Sequence, residues 1–195
     1  MDWTGERLET FIENQTTIEH LHRYAFTRDY IKGKIVLDLA CGSGYGSNMM
    51  AAYASHVIGV DISEKTVQEA RKKYLRENLC FKAGNATAIP QDNGSVDVVV
   101  SFETIEHLTG HKEMLMEIKR VLKPDGMLIM SSPDKKYYSD IPGYRNPFHL
   151  KELYSEEFEH LIAGYFKKKI FLSQNIFYGS LIAPNEKVYG FRFLR

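Results

Sequence analysis

At 195 residues the chain is long enough to bury one sizeable core and short for two, so it reads as a single α/β domain. Lys plus Arg and Asp plus Glu number 25 each, so a formal net charge of zero leaves no global field to draw the protein to DNA or to an anionic membrane. Cys41 and Cys80 sit in segments that read as opposite ends of different strands, and no stretch reaches the roughly 18 consecutive apolar residues of a membrane span; a reducing, cytoplasmic setting fits.

The pattern divides the chain into a helical cap (residues 1–33), a core (34–132), a lid loop (133–150), and a closing helix with edge strands (151–195). In the cap, Thr16 and Glu19 have the spacing of a capping box that opens a helix running to about residue 30. From residue 34 short apolar runs alternate with amphipathic stretches, as in βα units closing on a parallel sheet, and strands are predicted at 35–39, 56–60, 79–83, 96–101 and 127–131. Between them, Ser63 can cap a helix that turns Val67, Ala70 and Tyr74 to one face. A second helix over 112–122 lines up Met114, Leu115, Ile118, Val121 and Leu122 and ends in the turn Lys123-Pro124-Asp125-Gly126. The lid is rich in proline, glycine and polar residues, and loops of its length inside a compact domain are usually functional. Ser155 then caps a helix that faces Phe158, Leu161, Ile162 and Tyr165 to the core. Two extended segments, 168–176 and 187–193, should pair as an antiparallel edge.

The densest signal is Val36-Leu37-Asp38-Leu39-Ala40-Cys41-Gly42-Ser43-Gly44-Tyr45-Gly46, a strand entering a glycine-rich turn. Glycines remove Cβ atoms where backbone must approach a ligand closely, and an acid at the strand end suits a ligand that carries an ammonium. The stretch resembles the first motif of class I S-adenosylmethionine-dependent methyltransferases, with Ala40 in place of the first glycine. A dinucleotide-dependent oxidoreductase is the competing reading, but its G-x-G-x-x-G spacing is absent and Asp38 would oppose a pyrophosphate. Further on, Asp61 ends the second strand, where an acid can accept both ribose hydroxyls of a nucleoside. Asn85-Ala86 matches the family's acid-small pair on adenine, with the asparagine carbonyl as acceptor of the amino group. The fourth strand ends at Ser101 and leads into Phe102-Glu103-Thr104-Ile105-Glu106-His107-Leu108, which resembles the family's segment beneath the transferred methyl. The resemblance implies a Rossmann-like, mostly parallel seven-stranded sheet in the order 3-2-1-4-5-7-6, with strand 7 antiparallel and helices on both faces. It also implies a cofactor site of Asp38, Ala40, Gly42, Gly44, Tyr45, Asp61, Ile62, Asn85, Ala86, Ser101 and Phe102.

In such an enzyme the acceptor must be aligned with the methyl, and a hydroxyl acceptor also needs a proton acceptor; His107 and His149 are the candidates, although single histidines often only satisfy local hydrogen bonds. Tyr24, Tyr137, Tyr138 and Arg145 are candidates for binding the acceptor, a small molecule or a saccharide hydroxyl; segments at residues 4–8 and 19–24 are similar to bacterial glycan-associated methyltransferases. If residues 102–108 were helical, Glu103, Glu106 and His107 would share a face. With His149 they resemble the metal site of small-RNA ribose methyltransferases, for which Mg²⁺, Mn²⁺ or Zn²⁺ would serve. A catalytically silent S-adenosylmethionine-binding module is the third class that stays open.

Overall fold

The computed structural model describes residues 15–176 and the backbone of residues 180–184. The order is α1 (Gln15–Ile31), β1 (Ile35–Leu39), α2 (Tyr45–Met50), β2 (His56–Asp61), α3 (Glu64–Lys73), β3 (Leu79–Ala83), β4 (Val96–Phe102), α4 (His111–Val121), β5 (Leu122–Ser131), α5 (Ser155–Ala163), β6 (Leu172–Ile176) and β7 (Ser180–Pro184). Five strands form a parallel sheet in the order β3-β2-β1-β4-β5. Every connection between parallel strands must cross over, so the helices fall on the two faces. Strand alternation divides the core accordingly. Val36, Val98 and Val100 pack with Tyr24, Met50, Val67 and Ala70 of α1 to α3, while Leu37, Leu39 and Val99 pack with Met114, Leu115, Ile118 and Ile162 of α4 and α5.

Local signals account for most element boundaries. Ser63 accepts a hydrogen bond from Thr66 N at 3.3 Å and starts α3. Helix α4 ends at Val121 and Leu122 already pairs with Val96, so Lys123-Pro124-Asp125-Gly126 bulges out of β5 before Met127 resumes pairing with Val98. The bulge is tied down where the Lys123 ammonium meets Asp97 Oδ1 at 2.8 Å, and Asp97 Oδ2 accepts Ile35 N. Helix α5 begins at Ser155 itself, with Glu157 accepting the Tyr154 N–H at 3.0 Å, so Ser155 is the first helical residue and not the cap.

The seven-strand order is corrected. Its first five places are observed, but β6 and β7 form a separate antiparallel hairpin. Residues 168–170, expected to open the extended segment 168–176, are exposed and irregular, because the three lysines in succession from Lys167 to Lys169 offer no alternating apolar face to the sheet. The hairpin is held to α1 instead, through Gln174, which accepts from Arg23 Nε at 2.7 Å and donates to Glu19 O at 3.2 Å. The expected strand at 187–193 and the segment 4–8 lie outside the described residues.

The contact that sets α1 on the sheet is between Tyr24 and Gly46: a Cβ on Gly46 would lie 2.0 Å from Tyr24 Cζ, so the phenol ring occupies the place of the missing side chain. Gly46→Ala should cost about 3 kcal/mol or more, at the upper end of overpacking, because both the ring and the strand beneath it are fixed. Urea unfolding checks this; an unchanged midpoint would refute the wedge.

Candidate active site

The site lies at the carboxyl ends of the strands, where open α/β sheets place their ligands. The turn after β1 carries Ala40 and Gly42 with positive φ of 62° and 53° and Gly44 with 82°. The glycines divide by role. A Cβ on Gly42 would meet nothing within 4 Å, so its backbone faces open space fit for a ligand. Gly44 and Gly46 are explained by packing against Phe81 and Tyr24, and not by the approach of a ligand. Ala40 occupies the left-handed region that the usual glycine would take without strain.

Asp38 is wholly buried beneath this turn; Ser47 Oγ donates to its Oδ2 at 2.6 Å and the Tyr24 hydroxyl to its Oδ1 at 3.2 Å. It therefore braces the loop from below, and any effect on a ligand passes as a field through the turn. Burial lifts its carboxyl to about 7, with the two hydrogen bonds opposing and the Asp61 charge adding. Tyr24, expected at the acceptor, is buried between Asp38, Gly46, Tyr45 and Phe102, with the Phe102 ring 5.1 Å away edge-on, so it is a structural wedge and not a binding group. Tyr45 is nearly buried, its hydroxyl 3.1 Å from His20 Nδ1; burial, then Arg23, pushes His20 down to about 4, so it is neutral at neutral pH.

Asp61 spans the loop and the next helix: Oδ2 accepts Gly42 N at 3.0 Å and Oδ1 accepts Ser63 N at 2.9 Å. Beside it Ile62 stands 72% exposed, an apolar side chain with no core to fill. The Asn85 carbonyl accepts both Thr87 N (2.9 Å) and Thr87 Oγ1 (3.0 Å), so its free capacity is the amide N–H pair and not the acceptor expected for adenine. Ala86 packs at the edge of the core, and Ser101 is buried with no hydrogen-bond partner for its Oγ.

After β4 the chain departs from the expected helix. Glu103 has φ 50° and only Ile105–His107 form a 3₁₀ turn, because the side chain of Ile105 is drawn wholly into the core. This separates Glu103 from the predicted metal group: it accepts from Ser131 Oγ at 2.6 Å and pairs with Arg23 at 3.2 Å. The other three come together, with ligand atoms of Glu106, His107 and His149 all within 4.8 Å of one another. The lid is responsible. Leu150 N and Lys151 N both donate to the Glu106 carbonyl (2.9 and 3.0 Å), and Phe148 O lies 3.0 Å from His107 Nδ1, which puts the two imidazole rings 5.0 Å apart edge-on. The Glu106 carboxylate is 1% exposed with neither oxygen hydrogen-bonded, and burial, then Glu103, lifts it to about 9.

Within the lid Tyr138 stacks on His149 at 5.0 Å, Tyr137 is exposed beneath the Lys136 ammonium, and Arg145 lines a cleft of about 440 Å³ that also reaches Lys135, Tyr144, His149 and Glu152. Sequence reasoning missed Glu152, Asn146, Ser131, His20 and Arg23. Only the last two carried a signal, lying with Tyr24 at helical spacing on α1.

Residues 37–130 match a methyltransferase domain family. A protein of Mycolicibacterium smegmatis, named a probable S-adenosylmethionine-dependent methyltransferase, is 34% identical over 194 residues, covering 96% of this chain and 73% of its own. The chain belongs to the class I S-adenosylmethionine-dependent methyltransferases. A relative of Mycobacterium tuberculosis with the same designation is 36% identical over 164 residues, and the chain spans only 58% of its length. The PH0226 protein of Pyrococcus horikoshii shares the fold, with a TM-score of 0.68 at 24% identity over 92% of this chain and 96% of that one. S-adenosylmethionine is the methyl donor of this family, and the open space beside the Gly42 backbone and the exposed Ile62 side chain are features compatible with a bound nucleoside. No helix among the described residues is long and apolar enough to cross a membrane.

The methyltransferase should lose stability as pH rises from about 4 to about 7. The Asp38 carboxyl, ordinarily near 3.8, is held to about 7 when folded, so the native state binds the extra proton in that window. The loss is on the order of 4 kcal/mol. In Asp38→Asn the slope of unfolding free energy against pH over this range should flatten; equal slopes in both proteins would remove Asp38 as its source.

Proposed function

We propose that this methyltransferase methylates a hydroxyl of a small molecule or saccharide. The observation that carries the reading is the meeting of two imidazoles, His107 and His149, at the end of β4 beside the lid cleft. A hydroxyl acceptor, unlike an amine, needs its proton removed as the bond forms. When bound, S-adenosylmethionine supplies a methyl on a sulfonium leaving group, so the new carbon–oxygen bond forms as the carbon–sulfur bond breaks. Asp61 is assigned to the ribose hydroxyls, Ile62 to the adenine face, and Gly42, with the nearby Ala40, to the methionine moiety. The Asn85 amide donates to a ring nitrogen beside Ala86, while Asp38, Tyr45, Ser101 and Phe102 support the pocket from beneath. Tyr144 and Arg145, which line the cleft, offer an aromatic face and a guanidinium to a sugar or phenol, with the exposed Tyr137 and the His149-stacked Tyr138 on the same lid. Asp61→Ala should weaken S-adenosylmethionine binding at least tenfold in calorimetry, since each charge-assisted bond contributes roughly 1.5–3 kcal/mol. Failure of the wild-type protein to bind it, or binding of NAD in its place, would overturn the reading.

A metal-assisted version is favoured by one observation: a carboxylate buried without hydrogen bonds, with two imidazoles in reach, is a donor set that a divalent cation would complete. Glu106, His107 and His149 would hold Mg²⁺, Mn²⁺ or Zn²⁺, which lowers the pKa of a coordinated hydroxyl. Glu103 has no part in it. Methyl transfer should then vanish after chelation and return with one of these ions; full activity in the chelated protein would leave the histidines as bases.

A further inference from the structure

We propose that Glu152 is the positioning residue for His149, holding its ring as the Nδ1–H tautomer so that Nε2 presents a lone pair beside Glu106 and His107. His149 Nδ1 lies 2.6 Å from Glu152 Oε1, with both side chains almost wholly buried (7% and 9% exposed). The second carboxylate oxygen is engaged by the Ser139 hydroxyl at 2.5 Å, so the carboxylate cannot swing away. An ionised carboxylate only accepts, so the proton between the two sits on Nδ1.

The other side of the ring is arranged to match that tautomer. Asn146 Nδ2 lies 3.1 Å from His149 Nε2, and the orientation of that amide is fixed because its oxygen accepts Phe148 N at 3.0 Å. An amide N–H facing Nε2 requires Nε2 to accept. The ring plane is set by Tyr138, stacked at 26° and itself bonded to the same amide. Between His149 and Glu152 run the two backbone N–H groups that clamp the lid to the Glu106 carbonyl, so the pair is fixed to the site it serves. The titratable groups that face the ring are Glu152, Glu106, His107 and Tyr138.

This arrangement suits one task under either version of the proposed hydroxyl methylation, on which its functional consequence rests. Once an acceptor displaces the Asn146 amide, Nε2 takes the hydroxyl proton while Nδ1 keeps its own, and the Glu152 carboxylate stabilises the imidazolium so formed. With a cation bound, Nε2 would be the ligand atom and Glu152 the outer carboxylate that orients it. Ser139, Asn146 and Glu152 are thus one assembly around one nitrogen lone pair.

The test is ¹⁵N NMR of the His149 ring in the full chain at mildly alkaline pH, for wild type, Glu152→Gln and Glu152→Ala. The wild-type ring should carry its proton on Nδ1, and both variants should raise the share on Nε2, with the Leu150 and Lys151 amide signals unmoved in Glu152→Gln. A wild-type ring protonated on Nε2, or a tautomer unchanged in Glu152→Gln, overturns the proposal; if Glu152→Ala fails to fold, the near-isosteric glutamine variant carries the test. With catechol and methyl glucoside as probe acceptors, kcat should fall by roughly 10–100-fold in Glu152→Gln, the range typical of removing such an orienting partner. Binding of S-adenosylmethionine should be unchanged, and Glu152→Asp should recover part of the loss. Unchanged kcat would refute the functional role. Absence of transfer from the wild type would count against the hydroxyl reading alone, because the ring spectrum decides on Glu152 without any acceptor.

Discussion

The Tyr24 ring standing in the place of a side chain at Gly46 is the constraint from which the rest of the site follows. It fixes α1 against the start of α2, and so fixes where Arg23, one residue earlier, can reach. Arg23 then pairs with Glu103 just after β4 and with Gln174 of the hairpin, so one helix joins the glycine turn, the carboxyl end of β4 and the hairpin. The same residue donates its hydroxyl to Asp38, which couples the position of α1 to the charge state under the glycine turn. A cap of this kind does more than cover the sheet. It makes loop geometry, burial of Asp38 and attachment of the hairpin a single packing problem.

A second anchor works against the first in energetic terms. The Glu106 carbonyl accepts two lid N–H groups, which is favourable, yet that docking also seals the Glu106 carboxylate away from water with no hydrogen bond to replace hydration. An unsatisfied buried polar group costs free energy that the surrounding packing must offset, and such sites concentrate where function requires them. Ile105, fully buried one residue earlier, is part of that offset, since it draws the turn inward. The lid and the core thus share the expense of presenting Glu106 to the imidazoles.

How much of this was legible in the sequence follows from the range of each interaction. The five strands, the Ser63 cap and the stripe of α4 are written in local periodicity, and all appear. Glu103 misled because helical spacing was assumed across residues 102–108, whereas burial of Ile105 imposed a tighter turn and a positive φ that local pattern does not encode. Tyr24 was misplaced for a similar reason: an aromatic on an amphipathic cap can face ligand or sheet, and only the gap at Gly46, 22 positions on, decides it. His149 was found because it stands in the lid and completes a resemblance to a known metal site, but its partners Glu152, Asn146 and Ser139 lie among the ordinary polar residues of a lid, where no periodic pattern marks a side chain as buried.

The boundaries of the family match carry a last step of argument. Residues 37–130 contain the glycine turn, Asp61, Asn85 and the end of β4, the parts assigned above, as a proposal, to the methyl donor. Glu106 and His107 lie inside that span, whereas His149, Glu152, Arg145 and the cleft lie beyond it, on a loop carried by the rigid sheet. Loops on a fixed scaffold are where specificity is free to vary. On the reading proposed here, the matched core presents the donor and half of the proton-accepting group, and the lid completes that group while selecting the acceptor. The Leu150 and Lys151 amides that bind the Glu106 carbonyl belong to residues that also line the cleft, so one set of backbone bonds holds the cleft wall and the paired imidazoles together.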